Sequence, residues 1–202
     1  MTPDRGMVVK RSFDVAVAGL GLLVLSPLLL ALSLWIRLDS PGPVLYRAPR
    51  VGRGGRPFSM LKFRSMAVGS DRGPSSTPDG DPRITRAGRF LRSFKLDEFP
   101  QLFNVVWGEM SLVGPRPQIQ WVVDSYSEKD RRILDVRPGI TDLASLRFHN
   151  EGELLAGATD PDRVYLETIH PEKMRLSIQY VDSRTFWLDL TILAKTVFRI
   201  YS

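Results

Sequence analysis

The stretch Val15–Ile36, VAVAGLGLLVLSPLLLALSLWI, runs for 22 residues without a charge. As one straight helix it would be roughly 33 Å long at 1.5 Å per residue, enough for a bilayer core of about 30 Å. Ser26-Pro27 stands near its centre. A proline inside a helix removes a backbone donor and clashes with the preceding turn, so a kink or break is expected there. Each half is then too short to cross alone. The Ser26 hydroxyl is placed to satisfy a carbonyl that the break frees. Both flanks are basic, with Arg5, Lys10 and Arg11 before the segment and Arg37, Arg47, Arg50, Arg53, Arg56, Lys62 and Arg64 after it, against Asp39. The positive-inside tendency puts both ends in the cytoplasm. A segment that dips in, turns at Ser26-Pro27 and returns satisfies both observations. A spanning helix and a buried core helix remain open alternatives. No small-x-small cleavage site follows, so a signal peptide is not expected.

The 202 residues fit one domain with a sizeable core. The absence of cysteine excludes disulfides, thiolate metal sites and cysteine nucleophiles. Charge is uneven. Residues 1–95 hold 16 Lys/Arg against 6 Asp/Glu, while residues 96–202 hold 12 against 16. Such asymmetry points to a polyanionic partner: nucleic acid, a membrane surface or a phosphorylated substrate.

After Pro41-Gly-Pro43, the run VLYRAPRVGRGGRPFSMLKFRSM reads as two short strands joined at Gly54-Gly55. Its glycines match neither a Walker A loop nor a dinucleotide fingerprint. Lys62-Phe63-Arg64 sets two cations beside an aromatic at the end of the second strand, or forms a solvated edge. Residues 67–82 carry 13 Gly, Pro, Ser, Thr or Asp among 16 and read as a long loop. Arg83, Arg86, Arg89 and Arg92 recur every three residues. On a helix they would make a stripe of like charge, either an anion site or a solvated or headgroup-facing side. A helix is expected to start at Leu96-Asp97-Glu98-Phe99-Pro100, with Asp97 as N-cap, and to stop at Gly108. Met110–Pro117 reads as a stiff turn, with Arg116 between two prolines. Arg137-Pro-Gly-Ile-Thr141 reads as a turn entering a strand. Thr185–Tyr201 reads as an amphipathic helix with Phe186, Leu190, Leu193, Val197 and Tyr201 along one side. It belongs either to the core or to the membrane surface. The fold class expected is α+β, mostly helical with a short β-hairpin, a re-entrant membrane helix broken at Ser-Pro and interfacial amphipathic helices. Residues 1–39 are expected to form the N-terminal re-entrant membrane helix and 40–202 a single integrated domain.

His149 and His170 sit in no motif, and no HExxH, GxSxG or EF-hand pattern appears. Asp97-Glu98 is the one adjacent acidic pair. It follows the arginine stripe and Lys95, whose cations would keep both carboxylates ionised. Ionised carboxylates among cations bind Mg²⁺ together with a substrate phosphate, or attack phosphorus directly. Adjacent helical residues diverge by about 100°, so the two acids should have different roles. An ordinary helix cap is the plain alternative.

The stretch Arg92-Ser-Phe-Lys-Leu-Asp97-Glu98-Phe-Pro-Gln-Leu-Phe-Asn-Val-Val-Trp-Gly-Glu-Met-Ser-Leu-Val-Gly-Pro115-Arg116-Pro117 closely resembles the signature of the bacterial sugar transferases, the monotopic phosphoglycosyl transferases. The resemblance extends in order over nearly the whole chain. It takes in Lys10-Arg11, Ser26-Pro27, Ser40-Pro-Gly-Pro-Val-Leu-Tyr, Arg50-Val-Gly, Lys62-Phe-Arg-Ser-Met, Asp81-Pro-Arg-Ile-Thr, Arg137-Pro-Gly-Ile-Thr141 and Trp187-Leu-Asp-Leu. It implies a minimal catalytic form at the cytoplasmic face of a bacterial inner membrane, catalysing the first membrane step of glycoconjugate or exopolysaccharide synthesis. It further implies a UDP-sugar donor, Mg²⁺ held by Asp97 and Glu98, attack by Asp97 on the β-phosphorus, release of UMP, and transfer of the covalently held phosphosugar to polyprenyl phosphate, typically undecaprenyl phosphate. Glu98 supports the site. Arg116, framed by Pro115 and Pro117, contacts phosphate or nucleotide, and Lys62 and Arg92 do the same more weakly. Lys10, Arg11, Ser26 and Pro27 carry over as membrane-segment residues, which favours the re-entrant reading. Relatives often follow the Pro-Gly-Ile-Thr motif with a glycine and an Asn-Gly-Arg-Asn stretch. Here Asp142-Leu-Ala-Ser-Leu-Arg147-Phe-His149-Asn150 stands instead, leaving Arg147 as the candidate for the missing arginine. A non-catalytic scaffold for anionic lipid is the competing reading, and it needs neither Asp97-Glu98 nor Pro115-Arg-Pro117. Nucleic-acid binding is remote, since no RNA- or DNA-reading motif appears.

Overall fold

The computed structural model of the chain describes residues 5–70, 81–148, 154–155 and 159–200. The centre of the long loop, His149, Asn150 and Tyr201 lie outside them.

Helix α1 runs from Arg5 to Asp39 with Pro27 inside it. Helical structure continues through Pro27, where the hydrogen-bond ladder loses one backbone donor. Proline leaves the Leu23 carbonyl without its backbone donor, and Ser26 Oγ donates to that oxygen at 2.7 Å. One side of α1 is apolar and open: Leu20, Leu23, Val24, Leu30, Leu34 and Leu38 are each more than 60% exposed. The other side packs on the rest of the protein, burying Ala18, Leu32 and Ile36.

Both ends of α1 are tied to the same body. Near the start, Lys10 Nζ lies 2.6 Å from Asp189 Oδ2, and Arg11 donates to the carbonyls of Val105 and Val106. Near the end, buried Arg64 donates to the carbonyls of Ile36, Ser40 and Pro41, which closes the carbonyl end of the helix. Asp39 accepts from the backbone of Ala87 at 3.0 Å.

Strands β1 (Leu45–Val51) and β2 (Pro57–Phe63) form the antiparallel hairpin expected from the sequence, with Leu45 opposite Phe63 and Val51 opposite Pro57. Its turn holds Gly54 and Gly55 at φ 68° and 74°. The loop 67–82 is pinned at its ends, where Ala67 N donates to Arg83 O and Met66 pairs with Ile84. Helix α2 (Arg86–Ser93) is capped by Thr85 and buries Ala87, Gly88 and Leu91. The arginines do not form one helical stripe, because Arg83 precedes α2 and pairs with Asp81. Helix α3 (Gln101–Trp107) ends at Gly108, whose φ of 91° makes it the left-handed stop expected at that position.

Met110–Pro117 is more than a turn. Ser111–Val113 is a short strand, β3, parallel to β4 (Gly139–Thr141). The two pair because Gly114 and Gly139 let the backbones touch. A Cβ on Gly139 would fall 2.1 Å from Gly114 N. Two short helices follow in their places, α4 (Gln120–Asp124) before β4 and α5 (Leu143–Arg147) after it. Then come α6 (His170–Ser183) and α7 (Phe186–Ile200).

Helix α7 is rotated from the face expected for it. Asp189 and Ile192 point inward, while Trp187, Val197 and Phe198 are exposed. The reason is electrostatic. Asp189 is 3% exposed because it meets Lys10 and accepts from Tyr180 Oη at 2.7 Å. A buried carboxylate with two such partners fixes which side of the helix faces in. The core beneath is made by Met60, Val105, Met110, Val113, Tyr180 and Ile192.

The Gly114–Gly139 contact sets a test. Gly139→Ala should lower stability by about 1–3 kcal/mol through overpacking. Thermal unfolding of the detergent-purified chain measures it, and an unchanged midpoint would show that the two backbones do not need this approach.

Candidate active site

The turn between α2 and α3 carries Asp97 and Glu98. Helix α2 packs with Leu32 and Ile36 of α1, whereas α3 meets its first half, where Leu102 approaches Gly21. The turn therefore sits along the middle of α1. Lys95, with φ of 56°, takes the left-handed conformation that non-glycine residues seldom adopt, and so bends the chain sharply into the turn. Asp97 is not the N-cap of α3. It lies inside a tight turn, Leu96–Glu98, and the N-cap position belongs to Pro100.

Glu98 is the hub. Lys62 Nζ donates to its Oε1 at 2.8 Å, and Arg116 makes a two-pronged contact with both of its oxygens. Lys62 Nζ also stands 3.7 Å from Asp97 Oδ2, so one ammonium bridges the pair. Arg92 is close enough to act on Asp97 through its charge, without a hydrogen bond. Arg50 adds a further cation beside Arg116.

The two carboxyls are driven apart. Burial pushes Glu98 up, but the charges and hydrogen bonds of Arg116 and Lys62 outweigh it and hold the group well below the usual carboxylate range. Burial raises Asp97, Lys62 pulls it partly back, and the neighbouring Glu98 anion raises it further. The sequence assigned the cations of the arginine stripe and Lys95 to both acids alike. In the structure the strong cationic contacts come from Lys62 and Arg116 and go to Glu98, leaving Asp97 the more basic of the two. Two acids with separated affinities for protons are suited to two roles.

Supporting residues hold this geometry. Buried Asn104 accepts from Leu61 N at 2.9 Å and donates to Ser59 O, fastening the strand that presents Lys62 to α3. Asp142, the first residue of the sequence departure, accepts from Arg116 N at 3.3 Å and caps α5 through Ser145 N. Pro115 and Pro117 flank Arg116 and are buried. Arg147 is exposed at the end of α5, where its charge acts on Glu172, and it does not join the cluster. Ser26 and Pro27 stay within α1, away from the carboxylate pair, and Lys10 and Arg11 are engaged by the protein itself. Sequence reasoning missed Arg50, Asn104 and Asp142 as site residues. Arg50-Val-Gly, the signature stretch that contains Asn104 and the departure that opens at Asp142 each carried one of them without singling it out.

The donor set suits a hard divalent cation. Asp97 Oδ1 has no hydrogen bond or ion pair among the described residues, and it neighbours a second carboxylate. No group of three or more His, Cys, Asp or Glu gathers among the described residues. A cation here would be completed by phosphate oxygens and water, the usual arrangement for Mg²⁺. Lys62, Arg92, Arg116 and Arg50 around one carboxylate pair are equipped to bind phosphate groups and to disperse charge on phosphorus.

The family model for bacterial sugar transferases matches residues 5–202. A UDP-glucose:undecaprenyl-phosphate glucose-1-phosphate transferase of Caulobacter vibrioides is 42% identical over 195 residues, covering 93% of this chain and 68% of that protein. A UDP-N-acetylgalactosamine-undecaprenyl-phosphate N-acetylgalactosaminephosphotransferase of Aeromonas hydrophila is 38% identical over 195 residues, covering 94% of this chain and 43% of that protein. An uncharacterized sugar transferase of Bacillus subtilis is 36% identical over 194 residues, covering 96% and 88% respectively. The chain thus spans less than half of the Aeromonas protein and about two-thirds of the Caulobacter one.

The separated carboxyls give a pH prediction. Glu98 has its folded pKa depressed below its ordinary 4.5, so its contribution to stability is present above about pH 4.5 and is lost as pH falls below it. Asp97, shifted the other way, opposes stability above its own ordinary value. Thermal midpoints recorded across the acid range should therefore fall more steeply for the unaltered chain than for Glu98→Gln. Equal slopes would count against the Lys62–Glu98–Arg116 arrangement.

Proposed function

This chain belongs to the bacterial sugar transferase family, and from that premise we propose that it transfers a sugar 1-phosphate from a UDP-sugar to polyprenyl phosphate at a membrane surface. The observation that carries the proposal is the placement of Asp97, beside Glu98, Lys62 and Arg116, along the middle of an apolar helix with an open face. A donor dissolved in the cytoplasm and an acceptor buried in lipid need one site that both can reach, and the headgroup level is where their phosphates meet.

The reaction runs in two displacements. An Asp97 carboxylate oxygen attacks the β-phosphorus of the donor. The bond from that phosphorus to the bridging oxygen breaks, and UMP leaves with the electron pair. The sugar phosphate is then held as an acyl phosphate on Asp97. An oxygen of polyprenyl phosphate attacks the same phosphorus, and Asp97 departs as a free carboxylate. Covalent division of this kind lets two dissimilar substrates use the site in turn. Burial favours the attack, because it raises the basicity of the Asp97 carboxylate and strips water from the oxygen. Glu98, fixed as an anion, orients Lys62 and Arg116 toward the phosphates. Mg²⁺, held by Asp97 and Glu98 with the donor's phosphate oxygens, would neutralise diphosphate charge.

The same reading gives α1 a re-entrant topology, with its ends on the cytoplasmic face of the inner membrane. Support comes from its tethers, since Lys10–Asp189 at one end and Arg64 with Asp39 at the other hold the same body. A helix crossing the bilayer would have to break the tether at one end or the other.

Release of UMP from a panel of UDP-sugars, with undecaprenyl phosphate and Mg²⁺, measures the activity. Turnover is expected with at least one sugar, and Asp97→Asn should reduce it at least 10³-fold, on the order expected for loss of a nucleophile. Undiminished turnover in Asp97→Asn would remove the nucleophile from this account. For topology, tags at the two termini should both react with a probe confined to the cytoplasmic side, and opposite accessibility would overturn the re-entrant arrangement.

A further inference from the structure

A second cationic site lies away from the carboxylate pair. The turn of the β1–β2 hairpin closes against the carbonyl end of α3 around an open cleft of about 580 Å³. Arg53, Arg56 and Arg137 line it, together with Phe58, Trp107 and Glu109. Arg11 stands behind, next to Gly108. Lys62 is five residues along β2 from Pro57, roughly 17 Å, so the cleft is distinct from the candidate active site.

Two of these cations have structural work. Arg137 Nε donates to Gly108 O at 2.8 Å, and Arg11 donates to Val105 O and Val106 O. They cap the end of α3, whose dipole amounts to about half a charge. Arg53 and Arg56 have none. Both are exposed, and neither side chain makes a hydrogen bond or ion pair among the described residues. Glu109, the acidic residue of the lining, already accepts from Asn104 at 2.7 Å. The arginines act on one another, since burial and the charges of Arg11 and Arg53 push the Arg137 guanidinium down. Three guanidinium groups lining a cleft with one engaged carboxylate, and a fourth behind them, are stabilised by an added anion.

The surroundings select the source of that anion. Arg11 stands just before Val15, where the uncharged segment begins. Trp107 is 62% exposed, with its ring 5.9 Å from that of half-open Phe103. Exposed tryptophan beside a basic flank is the composition found at headgroup depth. We infer that the cleft between the hairpin turn and the end of α3 binds the phosphate of an anionic phospholipid headgroup, with Arg53 and Arg56 as direct donors and Arg137 and Arg11 supporting them. A headgroup held there fixes the edge of the body to the bilayer and sets the tilt at which Asp97 faces the lipid. The inference takes from the proposed function only the placement of α1 in a membrane, and its test does not read sugar transfer.

The test uses the full chain in a neutral detergent, with short-chain dihexanoyl phosphatidylglycerol, dihexanoyl phosphatidylcholine or inorganic phosphate added at equal concentrations. Phosphatidylglycerol should raise the thermal midpoint by several degrees, as ligand binding to the folded state does, while the other two leave it unchanged. Arg53→Ala/Arg56→Ala should lose the shift yet match the unaltered chain without lipid, because both side chains are exposed. Arg56→Gln alone should raise the half-effective lipid concentration about tenfold. Lys62→Ala, changed at the carboxylate pair, should keep the shift. A shift that survives in Arg53→Ala/Arg56→Ala, or that disappears in Lys62→Ala, would overturn the site. An equal shift from inorganic phosphate would assign the cleft to a free anion instead, and one from phosphatidylcholine would remove the role of charge.

Discussion

A helix of 35 residues held at both ends by one folded body constrains everything else in this protein. Lys10 reaches Asp189 near its start, and Arg64 gathers the carbonyls at its finish. The apolar middle is left open on one side and packed on the other. Because α2 lies on one half of the helix and α3 on the other, the turn between them has a single place to be. That turn carries Asp97 and Glu98. The depth of the carboxylates relative to the apolar face is therefore a consequence of the tethers.

The tether at the start of α1 is an ion pair completed by hydrogen bonds, and the one at its end is built of hydrogen bonds from a buried guanidinium to backbone carbonyls. Lys10 meets Asp189 and lies 3.8 Å from Asp14, while Ser111 Oγ donates to Asp14 at 2.7 Å. Buried charge is costly unless its partners are all in place. A network of this kind is a weak source of net stability but a strict one for geometry, since few arrangements satisfy every member. The carboxylate pair follows the same rule. Glu98 is fully engaged by Lys62 and Arg116, which leaves Asp97 with one ion pair at 3.7 Å and its Oδ1 without a hydrogen bond among the described residues. The asymmetry of partners produces the asymmetry of chemistry.

Much of this was legible locally. The Gly54-Gly55 turn, the Gly108 stop, the hairpin and the terminal amphipathic helix each follow from a short window of residues with its own preferences. So does the response at Ser26-Pro27, where a hydroxyl next to a proline takes the freed Leu23 carbonyl. The site residues brought together by the fold, Lys62, Asp97, Glu98 and Arg116, all lie in stretches that resemble the family signature. Where local reading failed, a distant partner had intervened. The periodicity of α7 favours burial of Phe186, Leu190, Leu193 and Val197, yet the structure turns Asp189 inward because Lys10, 179 positions earlier, needs a counter-charge. Met110–Pro117 reads as a turn because three residues of strand give no period, and only contact with Gly139–Thr141 makes them β3.

The sequence by itself determined the apolar segment and its proline, the basic flanks, the paired acids, and the order in which helix and strand signals occur. These depend on composition and on spacings of a few residues, which the chain carries whether folded or not. The tertiary structure alone decided which cation meets which acid. Lys62 and Glu98 are 36 positions apart, and Glu98 and Arg116 are 18 apart. Nothing in either stretch encodes the other's direction. The unequal basicity of Asp97 and Glu98 likewise arises only when burial removes water and the fold hands both strong donors to one of two adjacent, chemically similar groups.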